Sequence, residues 1–203
     1  FSGYSEMQAL FRVRYTEFRP DYEERLATLR ADGAIGTGRL LAEFAESGHK
    51  SLVSLVNTVT NDRLDAIAQG MAAARVVHLV GLRRAFSVVS SMTYIFDQLG
   101  VPAALHHGAG MLNSGKSIFP GDVLFAVTFA PFSSETVRLA EDVSCRGITV
   151  YGLTDSENCP VAEFASAMLI AREDEVGGFR AHNAAITLTT ALAVAVKALR
   201  EPG

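Results

Sequence analysis

The stretch DVLFAVTFAPFSSETVRLAEDVSCRGITVYGL, residues 122–153, decides the fold. Asp122 to Thr128 is an unbroken apolar run of strand length, as a parallel strand covered on both faces requires. Ser134 to Arg146 has helical spacing, and Gly147 stops it. Ile148 to Leu153 is a second apolar run. Strand, helix and strand with short joints make one right-handed crossover unit. Upstream, Val76 to Val80 ends at Gly81, a helix follows over 85–99 and closes at Gly100, and Val101 to Leu105 is another strand. Ala167 to Ala171 is a fifth. The pattern predicts an α/β domain, doubly wound around a mainly parallel five-stranded sheet flanked by helices, with an N-terminal helical extension.

That extension comprises helices over 5–17, 21–30, 39–59 (with a break near Gly48) and 61–74. A short helix is expected at 111–119, and a last one over 179–199. The chain has 203 residues, 49% hydrophobic and 20% charged, enough to bury a core without staples. Its net charge of −4 argues against a broad basic field for nucleic acid. Residues 1–30 are neutral, with five arginines against five acids. The most apolar stretch, Ala184 to Val196, carries three threonines and falls short of a membrane span. Cys145 and Cys159 read as free buried thiols of a reducing, cytoplasmic compartment. No metal-ligand spacing, Walker loop or GxSxG elbow occurs, and no cofactor is expected.

In doubly wound sheets, ligands bind beyond the carboxyl ends of the strands. Three loops therefore carry the candidate chemistry. Gly81-Leu82-Arg83-Arg84-Ala85-Phe86 places two arginines where strand becomes helix, fit to clamp an anion or to form ordinary surface ion pairs. Thr128-Phe129-Ala130-Pro131-Phe132-Ser133-Ser134-Glu135-Thr136 gathers hydroxyls and backbone N–H groups at a helix start. This suits a phosphate, and equally suits helix capping by Ser133 or Ser134. Thr154-Asp155-Ser156-Glu157-Asn158-Cys159-Pro160 reads chiefly as turn chemistry. His78, inside an apolar strand, reads as a satisfied core residue; His106 and His107 lie on the ligand side. The candidate ligand-binding residues are Arg83, Arg84, Thr128, Ser133, Ser134 and Thr136, with no catalytic set.

These loops resemble the sugar isomerase (SIS) domain, whose phosphate site follows the pattern Ser-x-Ser-Gly-x-Thr-x-Glu. Aligned without gaps from Thr128, this chain matches in kind at Thr128, Ser133 and Glu135, and departs at Ala130 and Pro131. In the strand-one pattern Gly-x-Gly-x-Ser, Gly81 matches, while Arg83 and Ala85 replace the second glycine and the serine. The Gly-Leu-Arg-Arg and Phe-Ala-Pro-aromatic loops look like one branch of this family, the RpiR-type bacterial transcription regulators. The opening Phe1-Ser2-Gly3-Tyr4-Ser5-Glu6 is similar to the segment after their recognition helix. The resemblance implies that residues 1–17 are a remnant of a helix-turn-helix domain, 18–60 a helical linker and 61–203 the SIS ligand-binding domain.

It further implies a sensor, not an enzyme. A small anionic effector, a phosphorylated sugar or sugar acid, would bind the SIS domain and act through a homodimer or dimer of dimers. The helices at 39–59 and 179–199 would form the dimer interface, and DNA would be reached only through the N-terminal domain. The alternatives are a phosphosugar aldose–ketose isomerase, with Glu173, Glu175 or His182 as its base, and a dimerisation module with a decayed pocket.

Overall fold

The computed structural model describes residues 21–33, 36–108 and 115–200. Helices α1 (Tyr22–Ala31), α2 (Thr37–Thr58) and α3 (Asn61–Ala73) precede β1 (Val77–Gly81), α4 (Ala85–Gln98) and β2 (Ala103–His106). Next come β3 (Val123–Val127), α5 (Ser134–Cys145), β4 (Thr149–Thr154), a 3-10 turn at Pro160–Glu163 and β5 (Ala167–Ile170). A two-stranded hairpin, β6 (Glu175–Val176) and β7 (Phe179–Arg180), leads into α6 (Asn183–Arg200). The main sheet runs β2-β1-β3-β4-β5 with every neighbouring pair parallel. The chain winds outward in both directions from the β1/β3 boundary, and the loops leaving those two strands diverge there.

The strands are apolar throughout because both faces are covered. Val77, Leu79, Phe125, Val127, Leu153 and Leu169 pack beneath α3, α4 and α6 in the larger core. Val80, Leu124, Ala126 and Val150 face Val137, Ala140 and Val143 of α5 in the smaller one. Helix α6 lies against α2, α3 and α4, so it is the central helix of its layer.

Three expectations are corrected. Helix α2 passes through Gly48 without a break. The glycine serves close approach there: a Cβ would lie 2.4 Å from Nδ2 of Asn183 at the start of α6. The last helix begins at Asn183, because 179–180 form β7 after a turn at Gly177 and Gly178 with φ of +54° and +77°. Of the helix expected at 111–119, the described part is turn and extended chain. Cys145 is exposed, while Cys159 is buried, and both are free. The helix expected at 5–17 falls outside the described residues.

One buried polar chain crosses the smaller core. Asp122, 3% exposed, accepts from Nε and an Nη of Arg75, both at 3.0 Å, and from the Phe119 N–H at 2.8 Å. Its other neighbour is Nε2 of His78, at 3.3 Å, and Nδ1 of His78 lies 2.8 Å from Nε2 of His106. Burial alone would raise the Asp122 pKa, but these donors outweigh it and hold the carboxyl below the ordinary range. Burial pushes His78 down. A neutral His78 donating to Asp122 must accept from His106, which fixes both tautomers.

Replacing Asp122 by alanine strands a buried imidazole and a backbone N–H. We expect a loss of about 2–4 kcal/mol, read as a fall in urea midpoint at unchanged m-value.

Candidate functional site

A cleft of about 370 Å³ opens at the β1/β3 switch point. Its walls are Arg83 and Arg84 after β1, Thr128 to Pro131 and Ser133 after β3, Phe179 and Arg180 of β7, and His182 before α6. Tyr22 and Arg25 of α1 complete it. Two other clefts, of about 290 Å³ each, contain none of the residues singled out as candidate ligands. Four arginines and no carboxylate line the larger cleft, so its surface favours an anion.

Four of the six candidate residues line this cleft together: Arg83, Arg84, Thr128 and Ser133. Thr128 Oγ1 accepts from the Ser133 N–H at 3.0 Å, closing the loop after β3. Ser133 is the N-cap of α5: its Oγ accepts from the Thr136 N–H at 3.2 Å and donates to Glu135 at 2.9 Å. Capping and cleft lining therefore coincide in one side chain. Ser134 is exposed, outside the cleft wall, and donates to Glu135 at 3.2 Å. Thr136 is fully buried, and its hydroxyl has no hydrogen-bond partner among the described residues. The Glu135 carboxyl is held below its ordinary range by its own backbone N–H, then Ser133, with Ser134 and Arg83 adding to this. It already occupies donors that a phosphate would use.

The two arginines differ. Arg83 is exposed and holds φ at +56°, a left-handed conformation that costs a non-glycine residue about 1–2 kcal/mol. Arg84 turns inward, donating to Asp155 at 2.6 Å with its guanidinium 4.9 Å from the Phe129 ring centroid. Sequence reasoning took Asp155 for a turn residue and missed Arg180. Asp155 is buried just past β4, accepts from Arg84, Arg180 and the Ala130 N–H (2.9 Å), and so ties three loops together. Arg180 also donates to the Ala130 carbonyl at 2.9 Å. The signal for Asp155 was its place: an acid beyond the carboxyl end of a central strand, opposite a loop rich in arginine.

His182 stacks on Phe129 with ring centroids 5.6 Å apart. Burial first, then Arg84 and Arg180, press its pKa below the ordinary value, so it is neutral at pH 7. Glu173 does not line the cleft; it accepts from the Ala185 N–H at 3.1 Å, capping α6, and burial raises its pKa. Glu175 lies 3.4 Å from Nε of Arg180. His106 is committed to His78, and exposed His107 meets Phe86 edge-on, so neither borders the cleft. Among the described residues no cluster of His, Cys, Asp or Glu fits a metal ion, and no helix is long and apolar enough to cross a membrane.

Two outcomes follow from this geometry. Asp155→Ala leaves two arginines without their buried anion and should cost about 3–5 kcal/mol, whereas Glu157→Ala, which breaks only an exposed pair with Arg172, should cost under about 1 kcal/mol. Chemical denaturation of both variants checks this. His78 and His182 have folded pKa values below their unfolded ones, so the stability they carry is present above about pH 6.5 and lost as pH falls through the folded values. Thermal midpoints should therefore drop between about pH 7 and pH 5, and drop less in His182→Asn.

The SIS domain model matches residues 70–199. The sugar isomerase domain of an RpiR transcription factor from Sphaerobacter thermophilus superposes with a TM-score of 0.75 at 22% identity, covering 81% of this chain and 92% of that one. The NanR protein of Vibrio vulnificus, solved with ManNAc-6P, gives 0.71 at 21% identity over 89% of this chain and 69% of that one. The c3406 protein of E. coli CFT073, solved in complex with a phosphosugar, gives 0.67 at 14% identity over 79% and 89%. No curated protein sequence matches the chain. With a match spanning most of the sheet and its helices, the chain belongs to the SIS domain family.

Proposed function

We propose that this SIS domain is the effector-sensing part of a transcription regulator, and that its effector is a phosphorylated sugar or sugar acid. The observation that carries the reading is the arginine-lined cleft beyond the carboxyl ends of β1 and β3, next to the Ser133-capped start of α5. Two structural neighbours solved with phosphosugars, one of them ManNAc-6P, support the ligand class, and the RpiR and NanR neighbours support regulation. In this reading Arg83, Thr128 and Ser133 meet the anion, Arg84 is positioned by Asp155, and Ser134 and Thr136 support the α5 terminus. Residues 61–203 form the sensor, 18–60 link it, and 1–17 belong to a helix-turn-helix domain through which DNA is read. The protein acts in the cytoplasm as a homodimer or dimer of dimers. The effector works by linkage, binding one arrangement of the subunits better than another.

Arg83 gives the sharpest test. A residue kept in a strained backbone conformation at a cleft is a candidate for function. In a thermal-shift panel of phosphosugars, phosphorylated sugar acids and their unphosphorylated parents, a phosphorylated compound should stabilise selectively, by roughly 2.7 kcal/mol at 100 times Kd. Arg83→Ala should weaken that compound by about 1–3 kcal/mol. Arg83→Gly should weaken it equally while leaving the free protein as stable or up to about 1 kcal/mol more stable. Wild-type affinity in both variants would remove Arg83 from the site.

A second reading, a phosphosugar isomerase, draws on one observation: neutral His182 on the cleft wall. It lacks a carboxylate there. Proton NMR of the stabilising compound, incubated with the protein in D2O, should show neither ketose formation nor exchange at C2.

A further inference from the structure

Helix α1 lies outside the matched SIS residues, yet it reaches the cleft. Tyr22 and Arg25 sit on its wall beside Arg180 and Phe179. The Tyr22 ring lies 5.8 Å from that of Phe179, and the Arg25 guanidinium lies 4.9 Å from the Tyr22 ring centroid. The helix rests on the β6–β7 turn, where the two glycines make room for it. A Cβ on Gly177 would lie 2.4 Å from Cγ of Leu29, and one on Gly178 would lie 3.0 Å from Cγ of Arg25. The turn that seats α1 is thus the turn that presents Phe179 and Arg180 to the cleft.

The seat is small. Leu29 is the one buried residue of α1, in a minor cluster with Val176, Leu40, Phe44 and Phe179. Asp21 and Glu24 form a capping box, which favours the helix itself but not its docking. A ten-residue helix is marginal in isolation, and one leucine is a weak anchor against the entropy of ordering it. A ligand touching both walls would add what the apolar contact lacks.

We propose that α1 is the closing wall of the effector site: Tyr22 and Arg25 contact the bound effector, and effector binding holds α1 on the β6–β7 turn. This rests on the effector reading above and adds to it a coupling between occupancy and the segment N-terminal to the SIS domain. Reciprocity then requires that displacing α1 weaken the effector.

Hydrogen-exchange mass spectrometry on the 203-residue chain, with glucose 6-phosphate and 6-phosphogluconate at millimolar concentration as probes, tests this. Amides of 22–31 should slow together with those of 82–86 and 128–136. Arg25→Ala should lower probe affinity about tenfold, with Arg25→Lys recovering part of it. Leu29→Ser, which does not touch the cleft, should free α1 in the unliganded protein and lower affinity by a similar factor. Slowing at the two loops with unchanged exchange at α1, or wild-type affinity in Leu29→Ser with α1 freed, overturns the inference and leaves the sensor reading standing. Slowing in neither place overturns both.

Discussion

The carboxylate of Asp155 gathers groups that sequence separates widely. Arg84 precedes it by 71 residues, and Ala130 and Arg180 lie 25 residues to either side. Each comes from a different loop at the carboxyl edge of the sheet, and loops there have no ladder to fix them. A buried anion bound to two guanidinium groups and an amide is such a fixture, because leaving any partner unsatisfied in that environment costs more than the pair contributes. Arg84 then lies flat against Phe129, His182 stacks on the same ring, and the cleft acquires its floor. The buried pair contributes little net stability; what it supplies is one arrangement of the loops.

The sheet was legible because its strands are covered on both faces, which leaves no polar alternation to confuse them with amphipathic elements. The strand-helix-strand order of 122–153 suffices for the crossover, and the carboxyl-edge rule suffices to select the loops of the cleft. What escaped was contact across the fold. Asp155 looks like a turn residue because Asp favours turns locally, and its arginines are invisible to any short window. The misplaced start of α6 had a local remedy: Gly177-Gly178 between Glu175-Val176 and Phe179-Arg180 is a two-residue hairpin signal. Gly48 misled in the opposite sense, since a helix glycine that admits a neighbouring side chain looks like a break. Among the hydroxyls, sequence could not separate Ser133, which caps and borders the cleft, from Ser134, which faces solvent one residue later.

The electrostatics of the cleft are those of a receptor more than of a catalyst. Isomerisation needs a base that alternates between protonation states above the sugar carbons, and it gains from a carboxylate raised toward neutrality. Glu173 has that raised pKa, but its carboxyl is committed to the α6 terminus, and Glu175 is committed to Arg180. The cleft wall instead offers fixed positive charge, a neutral imidazole and a helix N-terminus. These hold an anion without transforming it.

Glu135 sets a condition on that anion. Its carboxylate rests on the hydroxyls of Ser133 and Ser134, with Arg83 near enough to lower its pKa. A phosphate at the α5 terminus has to draw the Ser133 hydroxyl away from Glu135 and compensate the approach of two like charges. Arg83 is the cation placed between them, and the strain of its left-handed backbone keeps it there. The loss of the family pattern's serine and glycine at Ala130 and Pro131 thus goes with a gain of cationic charge. Hydroxyl donors recognise a phosphate by counting hydrogen bonds, whereas an arginine beside a resident carboxylate recognises it by displacing another anion. A site built the second way is more sensitive to ionic strength than one built the first way, because the competition between two exposed anions for one exposed cation is a screened interaction.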